Sequence, residues 1–283
     1  MYRPSLPEFQ DLARHYNLIP VYREILADGD TPVLALEKLG PGPQRFLFES
    51  VEGGERLGRY SFLGNSAHTV IEARGSRVRL RGPHGEEERV SANPLHLVRD
   101  LLARYRPAPV PGLPRFYGGA VGHLGYDAIR YFEAIPDKNP DPLGVPDLYF
   151  LITDLVLVFD HVRRKIQVVA SAVVEDGRDP AAVYREATER IDEAIRKLQA
   201  GSVSLELLEL PDQVALPLEG EVQSNVTREE FEEAVRRAKD YIAAGDIFQV
   251  VLSQRLSVPW HDSSFTVYRV LRSLNPSPYM FYL

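Results

Sequence analysis

Apolar and polar positions switch between two periods along this chain, and each switch marks an element. Phe9, Leu12, Ala13 and Tyr16 recur at helical spacing, which predicts an amphipathic opening helix. Ser5, with Glu8 three residues later, writes its start as a capping box, in which each side chain satisfies a backbone N–H left over by the first turn. From Ile19 to Arg81 the pattern becomes β-like. Segments 45–50 (RFLFES), 59–63 (RYSFL) and 68–81 (HTVIEARGSRVRLR) are rich in β-branched and aromatic residues and are separated by Gly, Pro and Asn. Asn93 as cap and Pro94 at the first position open a helix over 94–105. A proline-rich loop at 107–114 leads into a Gly-rich strand over 116–124 and a helix over 125–133. Residues 148–160 (LYFLITDLVLVFD) predict one strand that turns at 161–164 and returns as KIQVVASAVV. The longest helix spans 180–200, with Val183, Ala187, Ile191, Ala194, Ile195 and Leu198 on one stripe.

Residues 202–226 have scattered prolines and no sustained period, and so read as a linker or edge strand. Thr227 and Glu230 repeat the capping box and start a helix to Ala244. A strand is expected over 247–258 (IFQVVLSQRLSV), a short helix over 264–274, and the chain stops in the apolar run 279–283. The pattern predicts an α+β protein with a first domain over 1–201, the linker 202–226, and the start of a second domain over 227–283. That last part has too few elements to bury a core of its own, so the sequence is expected to be cut inside the second domain.

Composition narrows the chemistry. A net charge of -7 disfavours general binding to phosphate backbones or anionic membranes. The absence of cysteine excludes disulfides, thiolate zinc sites and thiol nucleophiles. The most apolar run, 148–159, is too short to span a bilayer, and the N-terminus lacks the apolar core of a signal peptide, so a cytoplasmic protein is expected. The seven histidines show no HxH or HExxH spacing. Gly118–Gly125 (GGAVGHLG) lacks the G-x-G start and the flanking βαβ unit of a dinucleotide site, so close strand packing explains these glycines better. Glu86, Glu87 and Glu88 read as solvated turn residues.

Three segments say more. The run Leu47 to Gly64 (LFESVEGGERLGRYSFLG) resembles the N-terminal signature of anthranilate synthase component I. Gly245 to Arg255 (GDIFQVVLSQR) resembles the first motif of the chorismate-utilising domain, and Asn275 to Leu283 (NPSPYMFYL) is similar to the next motif of the same enzyme. Gly118 to Asp127 (GGAVGHLGYD) also resembles the family, with His123 where an aromatic residue is expected. The likeness runs along essentially the whole chain.

The resemblance implies antiparallel sheets packed as a sandwich with flanking helices in two intertwined domains. It implies a lyase that converts chorismate and ammonia to anthranilate and pyruvate, the first step of tryptophan biosynthesis. The ammonia would come from glutamine on a partner amidotransferase subunit. Magnesium would hold the substrate carboxylate, its ligands lying beyond residue 283, so this segment alone is expected to be inactive. Gln249 stands where chorismate enzymes that add water carry a lysine base. Neutral ammonia brings its own lone pair and needs placement more than a base, so a glutamine suits an amine-adding enzyme.

The resemblance also implies a feedback pocket for L-tryptophan. Glu49 or nearby carbonyls would meet the ammonium, Ser50 and Arg59 the polar end, and Tyr279 and Met280 the indole, with Pro278 fixing the backbone. Arg59 either takes that role or pairs with Glu52 or Glu55. Two alternatives stay open. One is aminodeoxychorismate synthase component I, which adds ammonia but keeps the pyruvyl ether. The other is a stand-alone tryptophan-binding regulatory module.

Overall fold

The opening helix begins where its capping box places it. In the computed structural model, Ser5 N and Oγ both donate to Glu8 Oε2, at 2.8 and 2.7 Å, and α1 runs Leu6–Leu12 with Phe9 wholly buried. The structure describes residues 1–50, 58–83, 85–200, 203, 205, 207, 208 and 222–283. Most of the linker expected over 202–226, with Glu52 and Glu55, lies outside them.

The chain divides into two compact units, Met1–Glu206 with Leu271–Leu283, and Leu207–Val270. The first holds two antiparallel sheets. The larger has seven strands in the order β1 (Tyr2–Arg3), β2 (Leu18–Leu26), β11 (Lys165–Val173), β10 (Leu155–Asp160), β4 (Tyr60–Gly64), β3 (Phe46–Glu49) and β14 (Met280–Tyr282). The smaller has five, ordered β7 (Gly85–Val90), β6 (Arg77–Gly82), β5 (Ala67–Arg74), β9 (Leu148–Thr153) and β8 (Ala120–Leu124). Their inner faces share one core: Tyr22, Phe46, Val156, Val158 and Val169 from the larger sheet meet Val70, Val121 and Leu151 from the smaller. Helix α2 (Pro32–Leu39) and α4 (Pro180–Ala200), with α1, cover the outer side of the larger sheet. Helix α3 (Pro94–Leu102) sets Val98 against Ile71, Ala73 and Leu148 of the smaller. This is an α+β sandwich with flanking helices.

Several expectations are corrected. The run 148–160 is not one strand: it breaks at Asp154, and its halves join different sheets. The strands on both sides are mainly apolar and buried, so only the polar pair Thr153-Asp154 marks the crossing. Helix α2 interrupts the segment read as β-like. Thr31 caps it by accepting from Leu34 N at 3.2 Å, and Pro32 takes a first-turn place where no N–H is needed. Glu86, Glu87 and Glu88 lie on edge strand β7 rather than in a turn. Residues 125–133 form only a short 3-10 helix, Tyr126–Tyr131.

In the second unit, Thr227 and Glu230 form the expected capping box, and α5 runs Arg228–Ala244. It stops at Gly245, whose φ of 83° is left-handed, where a side chain would be strained. Of the strand expected over 247–258 only β13 (Leu256–Ser257) forms, paired with β12 (Gln223–Ser224). A strand needs a neighbour for its backbone groups, and among the described residues no strand pairs with 247–255. Helix α6 spans Ser264–Leu274. The sequence groups all of 227–283 together, yet Leu271–Leu283 belongs to the first unit, because Met280–Tyr282 hydrogen-bonds to the open edge of β3.

Candidate functional site

In RFLFES the period of two sends Phe46 and Phe48 into the sandwich core and puts Leu47 and Glu49 on the opposite face. Glu49 is therefore a carboxylate on a buried surface, 7% exposed. Opposite it in register stands Met280 of β14, itself 8% exposed, with Phe281 opposite Phe48 and Tyr282 opposite Leu47. The two motifs, more than two hundred residues apart in sequence, thus become adjacent strands. Arg272 of α6 reaches Glu49 with Nη2 at 3.2 Å from Oε1. Ser50 follows Glu49 directly and is half-buried. Pro278 and Tyr279 lead into β14 and are exposed, Tyr279 at 77%.

Beside this pair lies a second polar contact. Ser61, 1% exposed on β4, stands 2.8 Å through Oγ from His161 Nε2. Burial holds His161 below its ordinary pKa, against the opposing pull of the Glu49 and Asp160 charges. Arg59 grips Asp160 with two hydrogen bonds, Nε to Oδ1 at 3.2 Å and Nη2 to Oδ2 at 2.8 Å, and lies 4.8 Å over the Tyr60 ring. For Asp160, burial pushes the pKa up, yet hydrogen bonds from Arg59 and the Arg163 N–H prevail and hold it below its usual value. Arg59 is thus fixed by Asp160, a partner the sequence did not suggest, and any ligand carboxylate would compete for it.

The structure unites Glu49 and Met280, with Ser50, Pro278 and Tyr279 attached to the same two strands. Gln249 belongs to the second unit, where it is exposed and outside any strand. Arg272, His161 and Ser61 were not singled out from the sequence. Arg272 carried one weak signal, as the basic residue in the last turn of the helix before NPSPYM. Among the described residues no group of three or more His, Asp or Glu side chains is placed to hold a metal ion, and no helix is long and apolar enough to cross a membrane. The Gly118–Gly125 run is a packing feature: a Cβ on Gly122 would fall 1.8 Å from the Tyr149 carbonyl oxygen. His123, in the place of the expected aromatic, stacks on Tyr149 with ring centres 6.2 Å apart.

Comparison with known proteins identifies the family. Residues 44–283 match the model of the chorismate binding enzyme family. The chain is 39% identical over its whole length to anthranilate synthase component 1 of Acetivibrio thermocellus, covering 57% of that protein. It is 43% identical to the Synechocystis protein of the same name, covering 100% of this chain and 56% of the relative. For the Pseudomonas aeruginosa protein the identity is 42%, with 97% and 56% covered. The crystal structure of anthranilate synthase component I from Streptococcus pneumoniae superposes with a TM-score of 0.62 at 27% identity, over 89% of this chain and 53% of that one. The chain spans a little over half the length of these relatives. With the match running through both paired motifs, the chain belongs to the chorismate-binding enzyme family, and its likeness to anthranilate synthase component I extends from end to end.

Proposed function

We propose that the protein converts chorismate and ammonia to anthranilate and pyruvate, and that L-tryptophan inhibits it at the paired strands β3 and β14. The observation that carries the reading is the register of Glu49 opposite Met280, which joins the Phe-Glu-Ser and Pro-Tyr-Met segments. A zwitterionic aromatic amino acid suits such a place. Glu49 offers a buried carboxylate for its ammonium, Ser50 a hydroxyl for its polar end, and Met280 with Tyr279 a polarisable wall for the indole. Arg59 would contribute to the polar end only by sharing its guanidinium with Asp160.

Ammonia would be delivered by a glutamine amidotransferase, the component that the name component 1 of the relatives implies as a counterpart; the residues of this chain offer no cysteine for that step themselves. Gln249 would help to place the ammonia. Magnesium would hold the chorismate carboxylate on ligands beyond Leu283, since among the described residues no group of three or more acidic or histidine side chains is placed to hold it. A cytoplasmic location fits these substrates.

The test is a calorimetric titration of L-tryptophan into the 283-residue chain, beside Ser50→Phe and Met280→Thr. The first variant fills the space and the second replaces an adaptable apolar wall with a smaller polar one. Losing one charge-assisted hydrogen bond or a packed face should weaken binding by about ten- to a hundredfold. Wild-type affinity in both variants would move the regulatory pocket elsewhere. In the full-length enzyme, Gln249→Lys should depress ammonia-dependent turnover while chorismate binding survives, and unchanged turnover would leave Gln249 without a catalytic part.

A further inference from the structure

A cavity of about 240 Å³ opens in the first unit where β9 and β10 part at Asp154 to join different sheets. It is separate from the paired strands. Asp154 and Ser171 stand at one end of β10 and β11, whereas Ser61 and Glu49 align with the other end, some six residues and roughly 20 Å along. At about 30 Å³ per water, the space would hold roughly eight waters, or an organic molecule of around ten non-hydrogen atoms.

Its walls combine apolar, aromatic and charged side chains. Leu18 and Ile152 supply aliphatic surface, and the half-buried rings of Tyr105 and Tyr117 supply aromatic surface. Arg115 and His68 also line the cavity. Arg115 makes no hydrogen bond or ion pair with any other described residue, and His68 engages Thr69 Oγ1 through Nδ1 at 3.0 Å, which leaves its second nitrogen for a ligand. The carboxylate at the cavity is already committed: Asp154 accepts from Ser66 Oγ at 2.6 Å and faces Arg190 at 3.7 Å. The unmatched charge is therefore positive, which selects an anion over an amine. Guanidinium is suited to the fork of a carboxylate, and tyrosine rings favour a flat, unsaturated body.

We infer that this cavity binds a small aromatic monocarboxylate, with its ring against Tyr105 and Tyr117 and its carboxylate on Arg115 and His68. The inference is independent of the tryptophan pocket.

Sodium benzoate is the probe. It is titrated into the 283-residue chain and followed by calorimetry and by amide nuclear magnetic resonance, with benzylamine and cyclohexylmethanol as the cationic and neutral controls. Saturable benzoate binding is expected, with shifts at Tyr105, Gly118 and Gly119, and with neither control saturating. Arg115→Gln removes an exposed side chain and leaves the core untouched, yet should weaken benzoate about tenfold or more. Leu102→Trp, at the exposed C-terminal end of α3, should obstruct the mouth and weaken it as well. No saturation by benzoate, equal binding of benzylamine, shifts confined to other regions, or full affinity in Arg115→Gln would each overturn the inference.

Discussion

Removing Arg272 exposes how the C-terminal strand is held. Glu49 has a side chain only 5% exposed, and the guanidinium that meets it at 3.2 Å is 29% exposed. Breaking a fully buried ion pair by deleting one partner costs about 3–5 kcal/mol, because the remaining charge is stranded away from water. Here the cost is smaller, since Arg272 is partly solvated and Glu49 has polar contacts besides Arg272. About 1–3 kcal/mol is therefore expected for Arg272→Met. For a unit of this size that lowers the melting temperature by roughly 2–10 °C. Glu49→Gln keeps the shape and removes the charge, so Arg272→Met in that background should cost much less. A double-mutant cycle by urea unfolding should give a coupling of at least about 0.5 kcal/mol, the size expected of residues in contact. The same pair bears on ligand binding. An incoming ammonium must displace the guanidinium from Glu49, so Arg272→Met should bind L-tryptophan more tightly than wild type and Glu49→Gln more weakly. A coupling indistinguishable from zero, together with unchanged tryptophan affinity in both variants, would refute the reasoning.

Other perturbations reach different parts of the first unit. The pKa of Asp160 is held below its ordinary 3.8, so its stabilisation is present above about that pH and is lost as pH falls through the lower folded value; acid unfolding of Asp160→Asn should lack that component. His161 is held below 6.5 by burial, so the unfolded chain takes up the proton first and stability declines as pH drops below 6.5; His161→Asn should flatten this slope in urea melts. Gly122→Ala would set a Cβ against the Tyr149 carbonyl and should destabilise by about 3 kcal/mol, read from the urea midpoint at unchanged m value.

Elements that carry their own start and stop signals were legible residue by residue. The capping boxes at Ser5 and Thr227, and the apolar stripe of 180–200, need no distant partner to declare themselves. Thr31-Pro32 offered the same kind of signal for α2, but it sat inside a run of alternating apolar residues and the period dominated the reading. The break at Asp154 had only a faint local mark, the polar pair Thr153-Asp154, since the strands on both sides are apolar and the crossing is decided by how each half pairs. Residues 247–255 show the converse, a strand pattern with no pairing strand among the described residues. At the candidate site, the motifs could be recognised from the resemblance, but their register could not. Nor could the Arg272–Glu49 pair, whose members lie 223 residues apart and are joined only by the folded sheet.

The sheet order also sets a timetable for synthesis. β3 must wait for β14, and Met280 follows its partner Glu49 by 231 residues. At about 5–20 residues per second, the nascent β3 edge stays uncovered for roughly ten to fifty seconds. An uncovered edge can pair with another chain emerging from a neighbouring ribosome. β3 is only four residues long, and it carries the carboxylate of Glu49 on the face that will later be buried. During that interval the charge is an obstacle to any wrong apolar strand. Arg272 and β14, arriving later, convert the obstacle into a contact.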